Sequence, residues 1–279
     1  MRLHARLARL TPVLALLALM TPAHALDVSG ASTIQPIMAK LQVEAERAIG
    51  EPLVLRGGGS GAGIKDTLAG KSGIGMVSRA LKDDEKARLK AATIGFDALA
   101  IIVNRDNPIS ALSKAQVVDL YTGKADNWQA VGGTDLAVVR ITKEVGRSTL
   151  ELFEGYSGLS SPARSGSEGK PLISKDSHTI GANIEALTLV GGMRGAIGYV
   201  SLGTAQAMVA AGMPVKVLSL DGVTPSAQSI VQRSYPIVRE LNLVYSEETE
   251  PVMSLIGLVL GGGGQEVVKS FGFLPVGAQ

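Results

Sequence analysis

Three times along the chain a short β-rich run ends, a turn of Ser, Gly and Thr follows, and a helical pattern begins. The turns are Gly30-Ala31-Ser32-Thr33-Ile34-Gln35, Gly57-Gly58-Gly59-Ser60-Gly61-Ala62-Gly63 and Gly146-Arg147-Ser148-Thr149-Leu150-Glu151. Strands that feed helices through short turns belong to α/β architecture with mostly parallel sheets. Ser32 with Gln35, and Ser148 with Glu151, have capping-box spacing, while Pro36 also permits a helix start one turn later.

Strands are predicted at 27–29, 53–56, 74–77, 98–104, 137–142, 197–199, 215–219 and 241–245. The apolar residues Ile34, Ile37, Met38, Leu41, Ala45 and Ala48 keep helical spacing. Further helices are predicted at 63–69, 83–91, 114–121, 149–156, 181–190 and 204–210, with a buried one at 252–260 that ends at Gly261. No internal repeat or long Pro/Ser linker divides the chain. Domain boundaries must then be short crossings, and the candidates are the stretch from Asn104 to Pro108 and the stretch from Arg239 to Tyr245.

A helix N-terminus exposes unpaired N–H groups at the positive end of the dipole, and glycine lets an oxyanion approach the backbone closely. Three such turns across a cleft can encircle a tetrahedral anion, with Arg79, Lys143 or Arg147 supplying charge. Taken singly, the serines read as helix caps, the glycines as a flexible loop and the cations as solvated surface charges. Their recurrence at successive strand ends favours the anion site.

Competing motifs fail on spacing. Gly70-Lys71-Ser72 has the tail of a P-loop, but Lys65 stands where its leading glycine is needed. Gly57-x-Gly59-x-x-Ala62 is a loose dinucleotide fingerprint without a well-placed acid after the next strand. Ser60 is not a hydrolase elbow, because Ala62 replaces the required glycine. His178 reads as a loop or cap residue, and Trp128 as a packed one.

The first 25 residues read as a secretory signal peptide: Arg2, Arg6 and Arg9, an uncharged run from Leu10 to Met20, then Ala23-His24-Ala25. The run is about half of the ~20 residues a bilayer span needs, so export to the periplasm is expected. Loss of three arginines turns 27 basic against 25 acidic residues into 24 against 25. That balance leaves no footprint for nucleic acid, and any anion must be held locally. With 0 cysteines and His178 as the one histidine left, thiolate and His-based zinc sites are excluded, and no cofactor or metal is expected.

In their order, the three turns join Ile74-Gly75-Met76-Val77-Ser78-Arg79, Tyr121-Thr122-Gly123-Lys124, Asn127-Trp128, Lys143-Glu144-x-Gly146 and Gly195-Ala196-Ile197-Gly198-Tyr199-Val200. This series resembles the substrate-binding proteins of bacterial phosphate ABC importers, a branch of the type 2 periplasmic binding proteins. The resemblance implies a two-lobed α/β fold, with lobe 1 at 26–102 plus 242–279, lobe 2 at 103–241, and two hinge crossings. It implies capture of inorganic phosphate for an ABC permease in the inner membrane, by a monomer without catalysis. Carried over by motif, the ligand-binding residues are Ser32, Thr33, Ser60, Ser78, Arg79, Lys143, Arg147, Ser148 and Thr149. Such families often have Asp where Ser78 stands, to accept the proton of phosphate; Glu144 and Asp66 are substitute candidates. The alternatives are another oxyanion (sulfate, molybdate, phosphonate), an anion sensor docking on a membrane kinase, and a phosphate-ester hydrolase.

Overall fold

The structure is a computed structural model, and it describes residues 25–277; the signal-peptide reading of residues 1–25 lies outside them but for its last residue. The chain begins β1 (Leu26–Gly30), α1 (Gln35–Ile49), β2 (Leu53–Gly57), α2 (Ser60–Leu68), β3 (Ile74–Val77), α3 (Asp83–Lys86) and β4 (Lys90–Asn104). It continues through β5 (Ala111–Leu112), α4 (Lys114–Thr122), β6 (Val139–Lys143), α5 (Ser148–Ser157), β7 (His178–Ile180), α6 (Asn183–Gly192) and β8 (Ala196–Ser201). Next are α7 (Leu202–Ala210), β9 (Val215–Val217), β10 (Ser219–Leu220), α8 (Ala227–Val231) and β11 (Val238–Tyr245). The described chain closes with α9 (Glu250–Leu260), α10 (Gly262–Ser270) and β12 (Leu274–Pro275).

The result is a two-lobed α/β architecture built on one long strand. The sheet order is β2-β1-β3-β11-β4-β8-β6-β7. β1 pairs β2 and β3 in parallel, and β6 pairs β7 and β8 in parallel. β11 and β8 run antiparallel to β4. Within β4 the partner changes from β11, through Ala98, to β8, from Leu99 onward, so this strand and β11 carry the chain between the lobes.

Each lobe has its own apolar core. In the first, Ile37, Met38 and Leu41 of α1 pack with Leu241 and Leu243 of β11 and Leu255 and Val259 of α9. In the second, Tyr121, Phe153 and Tyr199 cluster with ring centroids 4.2–5.7 Å apart. Trp128 is fully buried there and donates from Nε1 to the Gly195 carbonyl at 2.9 Å, as a packed residue. Aromatic residues with a satisfied polar tip anchor a core well.

Four local expectations change. The helix predicted at 83–91 is only α3, because Lys90 already pairs Tyr245 and begins β4. α1 starts at Gln35 rather than being capped by Ser32: the Ile34 and Gln35 N–H groups donate to the Ala31 carbonyl, and Pro36 follows. Ser148 is the first residue of α5 rather than its cap, Arg147 holding that position. α9 ends at Gly261 as expected, but α10 follows at once, bent by 63°. Among the described residues no single helix is long and apolar enough to cross a membrane.

Candidate anion site

The three turns converge. Ser32, Thr33, Gly59, Ser78, Ser148 and Thr149 border one small pocket, to which Arg147, Gly181 and Asn183 also contribute. β1 and β3 lie side by side, so the turns that follow them emerge at the same sheet edge. β6 delivers the turn before α5 from the opposite lobe.

Helix geometry leaves the backbone donors of these turns free. Among the described residues the N–H groups of Ser32, Thr33, Ser148 and Thr149 have no partner, while those of Ile34 and Leu150 are used locally. At the N-terminus of a helix such groups point outward beside the positive dipole end. Hydroxyls stand next to them. Ser60 Oγ accepts the Ser78 N–H at 3.0 Å, and Ser78 Oγ lies 2.6 Å from Ser148 Oγ across the lobes.

The lobes touch around the pocket. The Gly61 N–H donates to the Gly146 carbonyl at 3.1 Å, and Asn183 Nδ2 donates to Thr33 Oγ1 at 3.3 Å. Gly59 has φ +91°, and a Cβ there would stand 2.8 Å from Gly146 O and 2.9 Å from Arg147 Cδ. Only glycine fits both that backbone angle and that approach.

Two charged residues reach the pocket region differently from the expectation. Arg79 does not border it: its guanidinium grips Glu85 at 2.6 and 2.7 Å, and Nε lies 2.6 Å from Glu151 Oε2. Lys143 is buried behind the turn and donates from Nζ to the Ala182 carbonyl at 2.7 Å, fixing the segment that presents Gly181 and Asn183. Burial lowers its pKa to about 7; Glu185 and Glu144 counter the shift, and Arg147 and Arg239 add to it. Arg147 does border the pocket, with Nη2 donating to Glu144 Oε2 at 2.8 Å.

A further buried cation, Arg239, reaches the Thr33 and Ser78 hydroxyls, and the sequence pattern does not single it out as a charge for the site. Its side chain is 0% exposed. Nε and Nη2 donate to Asp97 Oδ2 at 2.9 and 2.6 Å, Nη2 also to Thr33 Oγ1 at 3.3 Å, and Nη1 to Ser78 Oγ at 3.4 Å. The signal available in the sequence was an Arg near the start of a return strand that is otherwise mostly apolar. No carboxylate borders the pocket among the described residues: Glu144 is turned to Arg147, and Asp66 accepts from Ser29. His178 is exposed on β7, away from the pocket walls. A larger recess also borders Arg239, lined by Phe96, Leu152, Tyr235 and Leu274, and holds none of the three turns.

The chain as a whole matches known proteins. Residues 20–264 match the PBP superfamily domain. The phosphate-binding protein PstS of Bacillus subtilis is 28% identical over 216 residues, which span 76% of this chain and 67% of that one. PstS of Borreliella burgdorferi is 23% identical over 254 residues, 90% of this chain and 89% of that one. A putative phosphate ABC transporter substrate-binding protein from Clostridium perfringens, crystallised with bound phosphate, is 30% identical with a TM-score of 0.80. The match spans 91% of this chain and 100% of that one. An ABC-type phosphate transport receptor from Vibrio cholerae shares the fold, with a TM-score of 0.72 at 24% identity over 89% of this chain and 99% of that one.

Proposed function

The chain belongs to the PBP superfamily, and we propose that it is a periplasmic solute-binding protein that captures inorganic phosphate between two lobes and delivers it to an ABC permease. The observation that carries this reading is that four N–H groups without a partner among the described residues, two from each lobe, belong to residues bordering one hydroxyl-lined pocket. The phosphate bound by the Clostridium perfringens relative supports the choice of anion.

In the proposed cycle the open lobes expose the first-lobe donors at Ser32, Thr33, Ser60 and Ser78. Phosphate docks there, and closure brings the donors of Ser148 and Thr149 and the charge of Arg147. Closing a hinge around the ligand completes a site that neither lobe forms alone. Charge-assisted hydrogen bonds contribute about 1.5–3 kcal/mol each, so a few of them suffice for the about −8 kcal/mol of micromolar binding. Arg79 and Lys143 act from behind the pocket, Arg79 by joining the lobes and Lys143 by holding the Ala182 segment. Arg239 compensates anion charge from below.

The lobes are taken as residues 26–102 with 242–279, and 103–241, with β4 and β11 as the crossings. The chain acts as a monomer after removal of residues 1–25, without nucleic acid, cofactor or catalysis. Titration calorimetry with phosphate tests the core of this reading. One site per chain with micromolar or tighter affinity is expected; no heat at millimolar phosphate would remove it.

A further inference from the structure

A hydroxyl has one proton to give and two lone pairs to receive with, whereas a guanidinium only donates. Thr33 Oγ1 receives Asn183 Nδ2 and Arg239 Nη2, both at 3.3 Å, so both its lone pairs are taken and its proton is what remains for a ligand. Ser78 Oγ receives Arg239 Nη1 at 3.4 Å and shares a 2.6 Å bond with Ser148 Oγ, so one proton of that pair is likewise left over. Asp97 pins Arg239 from the other side, and Asp97 Oδ1 accepts the Gly203 N–H at 3.1 Å, so the guanidinium cannot turn away.

We infer that Arg239 and Asn183 fix the Thr33 hydroxyl as a donor and that the pocket has no fixed acceptor, so that the site recognises a tetrahedral dianion by charge and shape and takes sulfate as well as hydrogen phosphate. The inference rests on the anion-binding reading above. Hydrogen phosphate carries one proton and sulfate none. A site that demands the proton needs a fixed acceptor, and a carboxylate in that place would also repel sulfate. No carboxylate borders this pocket among the described residues. The Ser78–Ser148 pair is reversible: with Ser148 donating, Ser78 turns its own proton to the anion; with Ser78 donating, Ser148 Oγ can accept the proton of phosphate or donate its own. The pair accommodates the proton without requiring it. Sites that depend on one specific hydrogen bond discriminate by about 10⁴–10⁵, and a site that does not depend on it falls well short of that.

The test is calorimetric titration of the purified protein with phosphate and with sulfate at about pH 8, above the second ionisation of phosphate. Both anions are expected to bind, with dissociation constants within about 100-fold of each other. Ser78→Asp places a carboxylate against Arg239 Nη1 and is expected to keep phosphate while weakening sulfate by a further factor of about 10³. If phosphate binds and sulfate is weaker by about 10⁴ or more, the wild-type site reads the proton; the inference falls while the phosphate reading stands. If sulfate binds and phosphate does not, the phosphate reading falls, and so does the inference that the site takes both. If neither binds, both fall. A folded Ser78→Asp variant with an unchanged phosphate-to-sulfate ratio also overturns the inference; should that variant fail to fold, the wild-type ratio decides alone.

Discussion

Arg79 Nε lies 2.6 Å from Glu151 Oε2, joining the turn after β3 in one lobe to α5 in the other. Glu85 holds the far side of the same guanidinium with two bonds, so Arg79 is aimed before the lobes meet. The pair is mostly buried, with side chains 7% and 18% exposed, and it forms only where the lobes are in contact. Removing the acceptor therefore acts on release rather than encounter. For Glu151→Gln we expect phosphate to leave about five- to tenfold faster, on the order of 1 kcal/mol, with little change in association rate. Stopped-flow measurement of both rates checks this; an altered association rate alone would contradict it.

Arg239 and Asp97 form a buried pair whose two charges stand or fall together. Arg239→Gln strands the Asp97 carboxylate at 1% exposure, and a loss of about 3–5 kcal/mol in urea unfolding is expected. Adding Asp97→Asn should return most of that stability, because no buried charge is left unpaired. Phosphate affinity should remain low in the double variant, since the cation beneath Thr33 and Ser78 is gone. Recovery of both stability and affinity would assign the pair a purely structural role.

Arg147 borders the pocket while Glu144 competes for its guanidinium at 2.8 Å. Arg147→Ala is expected to weaken phosphate by about 1.5–3 kcal/mol, the scale of a charged hydrogen bond. Glu144→Gln should have the opposite sign, because it frees the guanidinium and removes a negative charge near the anion. Calorimetry on the two variants gives the comparison, and weaker binding by Glu144→Gln would show that Glu144 serves to aim Arg147.

Lys143 makes stability depend on pH. Its folded pKa is lowered to about 7 by burial, against about 10.4 for an exposed lysine. Below about pH 7 both states carry the proton, and between about pH 7 and pH 10 the unfolded chain binds more protons. Stability should rise with pH across that window, by up to a few kcal/mol, and the rise should be absent from Lys143→Met. Parallel urea titrations of the two proteins measure the difference; identical pH profiles would contradict the assignment.

The three anion turns were legible because their signals are local: glycines and hydroxyls directly after apolar runs, with a helical pattern beyond. Even so, Ser32 stands two residues before the cap Ile34, and Ser148 one residue after the cap Arg147, and the N–H groups of both stay without a partner among the described residues. The run from Asp83 to Lys90 is rich in helix-favouring charged residues, yet pairing of β4 with β11 converts its end to strand. α10 was hidden by Gly262-Gly263-Gly264, residues that read as a helix stop; Gly264 is needed because a Cβ would meet the Val259 carbonyl at 2.4 Å. The Arg239–Asp97 pair was beyond the sequence, its members being 142 residues apart and joined only by the crossing of β4 and β11. Arg79 was recognised as important from its place after β3, but its partners on α3 and α5 depend on how the lobes meet.

The most direct measurement is a crystal structure of the protein grown with phosphate. One tetrahedral anion is expected in the pocket between the lobes, its oxygens within hydrogen-bond distance of the Ser32, Thr33, Ser148 and Thr149 N–H groups. Phosphate bound elsewhere, with those four donors turned to water or to other protein groups, would contradict that expectation.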